Sequence, residues 1–275
     1  MIIEEIETIH LFPPLNEKLV VLLKGLKASD WEKQTVAKKW DVKDVASHLL
    51  DGNLRRVAMH RDNWVNAVGR FDSYTDLVNY LNELNADWVK ATKRLSPRII
   101  IDLLEQTNGQ VYGIFKNMDP LAPSLFPVSW AGENKSVNWM DIAREYTERW
   151  LHQQQIRQTI GDDSLLKREF YHPLLDVFLR AWPYTCRDSE AEEGTVLKTV
   201  ITGEGDGEWY LKRGSEGWGL ASPSTHAVCE TIIDGNIAWI LFSKSVRKED
   251  VAASFTVKGD RVLGEKVLDM VSVMA

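Results

Sequence analysis

A glutamate and a histidine four residues apart, Glu148 and His152, sit in the middle of a long stretch with helical periodicity. On a helix that spacing separates two side chains by about 40° around the axis, so both project to one side. Two such side chains can reach one cation, the spacing logic of zinc-binding helices. A third ligand must then come from another helix, and this requirement constrains how the chain can fold. His48, inside Trp40-Asp41-Val42-Lys43-Asp44-Val45-Ala46-Ser47-His48-Leu49, is the best candidate. Two imidazoles and one carboxylate would make a three-ligand site with an open position, the arrangement of catalytic rather than structural zinc.

Each of these residues also has a plainer reading. Asp141, Glu145, Glu148 and His152 fall in one stripe at about 100° per residue, and charged stripes usually face water. Ile142, Tyr146, Trp150 and Leu151 crowd that stripe, however, and leave little purely polar surface. A histidine among leucines, as His48 is beside Leu49 and Leu50, is more often a satisfied core group than a ligand. His60 lies twelve residues from His48, about 120° around the same helix, and is expected to be exposed. His172 and His226 read as structural or surface residues, and the pair Arg55-Arg56 as part of a solvated helix face.

The length of 275 residues favours two domains, divided here at 1–165 and 166–275. The first part reads as helix after helix. Leu15, Leu19, Leu22, Leu23 and Leu26 form an amphipathic stripe, and Pro13-Pro14 suits the first turn of that helix. Asp41 is a good N-cap with Asp44 three residues later, and Trp40 and Val45 can form a hydrophobic staple across it. Further helices are expected over Tyr74–Leu95 and Arg98–Met118, the second containing Gly109 and Gly113, which weaken its interior. A long loop, Leu121–Val137, precedes the helix that Asn138 opens; loops of this length are often functional walls or lids.

After Gly161-Asp162-Asp163 the pattern changes. One helix over Lys167–Trp182 leads into strand-like runs at Thr195–Thr202, Glu208–Lys212, Trp218–Ala221 and Ala227–Ile233. Gly203-Glu204-Gly205-Asp206-Gly207 reads as a hairpin turn, since no strand-to-helix context makes it a phosphate loop. A helix at Asn236–Ser243, a strand at Ser254–Lys258 and a helix over Asp260–Val273 complete a small α+β domain. The fold class is therefore α plus α+β.

Composition excludes several functions. A net charge of −7 with no Lys/Arg stripe argues against nucleic acid. The longest apolar run, Ile237–Phe242, is far below the roughly 20 residues of a membrane span. Cys186 and Cys229 are too few for a disulfide framework and lack metal-site spacing. The start, Met1-Ile2-Ile3-Glu4-Glu5-Ile6, is not that of a signal peptide, so a cytoplasmic protein is expected. Most of the 11 tryptophans are expected in cores and pocket walls. There is no HExxH, Walker or GxSxG motif, and the Glu-x-x-His spacing of Glu7 to His10 is too near the start for a di-iron bundle.

Trp31, then Lys39 through Leu49, resembles the tryptophan, variable-loop and "valine–aspartate–two apolar–His-Leu" signature of the DinB-like superfamily. It looks more closely like the mycothiol-dependent maleylpyruvate isomerase family, and Glu145-Tyr146-Thr147-Glu148-Arg149-Trp150-Leu151-His152 is similar to that family's metal helix. The run Phe255 to Gly264 is similar to the end of its sterol-carrier-like C-terminal domain. The resemblance implies an N-terminal four-helix bundle with a divalent metal, zinc or nickel foremost, on His48, Glu148 and His152. It further implies a mycothiol-like thiol and a small electrophile as partners, and it allows a homodimer. A family run ending in Gly-Arg stands here as Phe242-Ser243-Lys244. Lys244 is thus the candidate cofactor or substrate cation, and lysine lacks arginine's bidentate geometry. Glu145 and Asp44 are candidate proton acceptors or supporting residues. The resulting expectation is a metal-dependent enzyme that activates a thiol for transfer or isomerisation. The alternatives are a metal-assisted hydrolase and a non-catalytic stress module binding metal or an apolar ligand.

Overall fold

A computed structural model describes residues 5–65 and 74–272. The first four residues of the acidic start and Val273 of the expected terminal helix lie outside the described residues. Contacts group the chain into two compact units: Met1–Ile6, Pro123–Thr147 and Ser164–Ala275 in one, Glu7–Ala122 and Glu148–Asp163 in the other. This grouping differs from the single division at 165. The expected loop and the first half of the long helix belong with the C-terminal elements, for reasons visible in that unit's packing.

The helical unit contains α1 (Phe12–Gly25), α2 (Val42–His60), α3 (Tyr74–Thr92), α4 (Pro97–Lys116) and the second half of α5 (Asn138–Ile160). Helix α1 opens with its two prolines in the first turn, where no backbone N–H is missed. Helix α2 starts at the expected cap. The Asp41 side chain accepts from the Asp44 N–H, and the Asp44 carboxylate accepts from the Asp41 N–H. Helix α4 runs unbroken through Gly109 and Gly113. Leu19 and Leu23 of α1, Val42, Val45, Ala46, Leu49 and Leu50 of α2, Ile100, Ile101 and Leu104 of α4, and Ile156 of α5 share one core with Trp31. Helix α3 is tied to α2 by polar bonds as well: Trp88 Nε1 donates to the Ser47 carbonyl at 2.8 Å, and Ser47 Oγ meets Thr92 Oγ1.

Two expectations on α2 change. Arg56 is buried, with its guanidinium 5.7 Å from the centre of the Phe115 ring, while Arg55 pairs with Asp51. His60 is half-buried, edge-on to Phe115 and 3.3 Å from Arg56. A planar guanidinium can be laid on an aromatic face, so the basic pair is not a uniformly solvated surface.

The other unit is built on a five-stranded sheet in the order β3-β2-β1-β4-β5, from β1 (Val196–Thr202), β2 (Gly207–Gly214), β3 (Gly217–Ala221), β4 (Cys229–Asp234) and β5 (Phe255–Gly259). The expected hairpin joins β1 to β2, and β4 returns to pair with β1 in parallel. Helices α6 (Arg168–Phe178), α7 (Trp182–Thr185) and α8 (Gly235–Phe242) accompany the sheet. The expected helix over 167–182 is split, because Pro183 sets up a new first turn. The long terminal helix is reduced to α9 (Arg261–Gly264) and a 3₁₀ segment, Glu265–Asp269.

The segment before α5 packs into this unit. Gly132 has φ +81° and approaches the Tyr184 ring, and Arg180 lies over Trp139. Tyr146 Oη donates to the Phe170 carbonyl at 2.6 Å, with Tyr146 fully buried. Among the described residues no helix is long and apolar enough to cross a membrane.

At the edge of the sheet, Gly259 has φ +79°, and a Cβ there would lie 2.2 Å from the Val228 carbonyl oxygen. Both backbone strain and a clash with main chain oppose any side chain. Gly259→Ala is expected to lower stability by about 2 kcal/mol or more. A urea midpoint equal to that of the unsubstituted protein would show that β5 can shift without loss.

Candidate metal centre

Three candidate ligands converge in the helical unit. His48 projects from α2 two turns past its cap, and Glu148 and His152 project from α5 one turn apart. One ligand atom from each lies within 4.8 Å of the others. The His152 Nε2 is 3.4 Å from Glu148 Oε2, and its Nδ1 is 3.0 Å from Gln155 Oε1. The His48 and His152 rings meet edge to face, with centroids 4.6 Å apart. The stripe carrying these residues is no solvated face: Asp141, Glu145 and His152 are all buried and Glu148 is half-buried.

Trp40 covers the cluster. Its ring centroid is 4.7 Å from that of His48 and 6.0 Å from that of His152. Residues 34–41 fold back to hold it there. The Trp40 carbonyl accepts from the Thr35 N–H, from Thr35 Oγ1 and from Gln34 Nε2, and its N–H donates to the Ala37 carbonyl. The variable loop thus places an aromatic wall over the ligands.

What aligns α5 with α2 is a buried guanidinium beside Glu148. Arg149 donates to Asn53 Oδ1 on α2, to Asn108 Oδ1 on α4 and to Asn16 Oδ1 on α1, the last two at 3.2 Å. Asn53 in turn donates to Asn108 Oδ1 at 2.8 Å and Thr107 Oγ1 at 2.9 Å. Arg149 also lies over the Phe12 ring. The arginine and all three asparagines are buried. A charge out of water is tolerated only when it is met by hydrogen-bond acceptors, and this network supplies them from three helices.

The electrostatics suit a cation. Burial, and after it the neighbouring His152 and Arg55, holds the His48 imidazole well below its usual pKa. The ring is therefore neutral, and its buried Nδ1 finds no hydrogen-bond partner among the described residues. In either tautomer one lone pair remains for a cation. Two imidazoles and a carboxylate fit a divalent ion such as zinc or nickel.

The other sequence candidates are not members of this trio. Asp44 is engaged as a cap and by Lys93 Nζ at 2.6 Å. Glu145 is buried one turn before Glu148, on the half of α5 that belongs to the other unit. Lys244 also belongs to that unit. It takes a left-handed conformation, φ 57°, at the end of α8, and its Nζ lies 3.4 Å from the Leu268 carbonyl. Sequence reasoning missed Arg149, Asn16, Asn53, Asn108 and Gln155. The available signal was polar residues at core spacing, Asn53 four after Leu49 and Asn108 four after Leu104.

Neither cysteine can serve as an internal thiolate. Both are free and buried; burial pushes Cys186 up to about 12 and Cys229 up to about 11. Any reacting thiol would have to arrive from outside.

Helices that bring two histidines and a glutamate together, joined to a small mixed sheet, define the class: an α plus α+β protein with a candidate three-ligand metal centre. The profile of a family described as "Mycothiol maleylpyruvate isomerase N-terminal domain" matches residues 12–157, and the chain belongs to that family. A solved structure of the mycothiol-dependent maleylpyruvate isomerase is similar in fold, with a TM-score of 0.55 at 10% identity over 91% of both chains. A histidine-to-alanine mutant of the same isomerase gives the same values. No curated protein matches the chain.

The arginine network and the buried sulfurs can each be tested. Arg149→Met would leave the buried oxygens of Asn16 and Asn53 without this donor, and is expected to cost about 3 kcal/mol in urea unfolding; a change below about 1 kcal/mol would show the network to be dispensable. Because the thiolate is the reactive form, a disulfide reagent at pH 8 should modify neither cysteine until denaturant is added. Rapid labelling of the native protein would contradict the burial described.

Proposed function

We propose that the chain is a divalent-metal-dependent enzyme that uses an external low-molecular-weight thiol to isomerise, or transfer to, a small electrophilic molecule. The observation that carries this reading is the convergence of the His48, Glu148 and His152 ligand atoms, one from each within 4.8 Å of the others. Family membership supports the thiol, since the family description names mycothiol and maleylpyruvate. Which thiol and which electrophile this chain takes are part of the proposal.

A divalent cation bound by this trio would supply a net positive charge that lowers the pKa of an arriving thiol. His48 and His152 would offer nitrogen ligands and Glu148 a carboxylate, a set that would only partly neutralise a dication. Trp40 excludes water from one side of the cluster. Glu145 is proposed as a proton acceptor, on the strength of its buried position one turn from Glu148. The cap and the Lys93 ion pair support a structural role for Asp44. Lys244 is proposed as a cationic contact for cofactor or substrate, its ammonium lying 3.4 Å from the Leu268 carbonyl. The helical unit is read as the four-helix bundle of the family and the sheet unit as its sterol-carrier-like partner, and the free cysteines suit a reducing cytoplasm.

The test is metal content by mass spectrometry on protein purified without a metal-affinity tag. Near-stoichiometric metal is expected in the unsubstituted protein, lost in both His48→Ala and His152→Ala. No metal, and no uptake of added zinc or nickel, would overturn the reading. In metal-loaded protein, activity that persists when thiol is removed would instead point to hydrolysis.

A further inference from the structure

Gln155 is buried on α5, three residues after His152, and its Oε1 lies 3.0 Å from His152 Nδ1. An amide oxygen only accepts hydrogen bonds, so this contact is a bond only if Nδ1 carries the proton. A neutral ring has one proton, and Nε2 then carries the lone pair. A carboxylate oxygen, Glu148 Oε2, lies 3.4 Å from that nitrogen. Two acceptors this close repel unless a cation lies between them, and the nearby His48 ring adds a third electron-pair donor.

We infer that Gln155 is a positioning residue that fixes His152 as its Nδ1–H tautomer and so presents Nε2 to a metal ion. The inference rests on the metal-site reading above and deepens it. It goes beyond the three ligands because it names the group that decides which nitrogen of His152 is available. The bond also restrains rotation of the ring. A histidine that must be turned and have its proton moved before it can bind a cation binds it more weakly, and loss of such an outer partner typically costs ten- to a hundredfold in affinity.

The experiment compares the full-length unsubstituted protein with Gln155→Met, which keeps the side chain's length and removes the amide acceptor, and Gln155→Glu, which keeps an acceptor oxygen. Each is followed by long-range ¹H–¹⁵N correlation of labelled histidine at pH 8 in metal-free protein, and by zinc affinity in competition with a chromophoric chelator. The unsubstituted protein and Gln155→Glu should show His152 in the Nδ1–H form. Gln155→Met should show a mixture of tautomers and bind zinc about ten- to a hundredfold more weakly. An unchanged tautomer in Gln155→Met, unchanged zinc affinity, or the Nε2–H form in the unsubstituted protein would each overturn the inference. If the unsubstituted protein binds no zinc, the metal reading itself fails and the affinity claim fails with it, while the nitrogen shifts still decide what Gln155 does to His152. Circular dichroism and thermal midpoints of the variants separate a local effect from misfolding.

Discussion

The site depends on one buried charge, Arg149, held by amide oxygens from three other helices. Its position in the chain gives it its effect. It adjoins Glu148, and Asn53, which it grips on α2, is five residues from His48. The bond between them therefore fixes the rotation of α5 against α2 where the two helices must present ligands to each other. Apolar packing around Leu49, Leu50 and Ile156 supplies most of the cohesion but tolerates sliding and rotation. A directional network does not, since every displaced donor becomes an unsatisfied buried group. Such a network adds less net stability than its strength suggests, because the charge must first be stripped of water. What it contributes is register.

Much of this architecture was legible in the sequence wherever a residue type has a narrow local role. The Asp41 and Asp44 cap, the prolines at the start of α1, the Gly203–Gly207 hairpin and the leucine stripe of α1 all act within a turn or two of their own position. The Glu148 and His152 spacing acts within one turn in the same way, and the structure brings a His48 ligand atom within 4.8 Å of theirs. Long-range polar contacts were not legible. Core spacing places Asn53 and Asn108 on apolar helix faces but names no partner; that partner, Arg149, arrives from a hundred or so residues away in one case and about forty in the other. The reading of Arg56 as solvated failed for the same reason, since its partner ring, Phe115, lies on another helix. The division into units was misjudged because α5 is continuous in sequence pattern while its two halves pack in different units.

The chemistry follows from a division of roles. Folding keeps the protein's own sulfur inert, with Cys186 and Cys229 buried and protonated, while it assembles two imidazoles and a carboxylate beneath an aromatic wall. On the proposed reading, a cation completes the site and acts on a ligand from solution. Family membership and the shared fold agree with that division without determining the substrate.

X-ray absorption at the zinc edge, on zinc-loaded protein before and after addition of a low-molecular-weight thiol, tests the central claim most directly. The account predicts a first shell of nitrogen and oxygen only, with the scattering signature of two imidazoles, that gains one sulfur at about 2.3 Å when thiol is added. A first shell that admits no sulfur, or one lacking imidazole altogether, would contradict it.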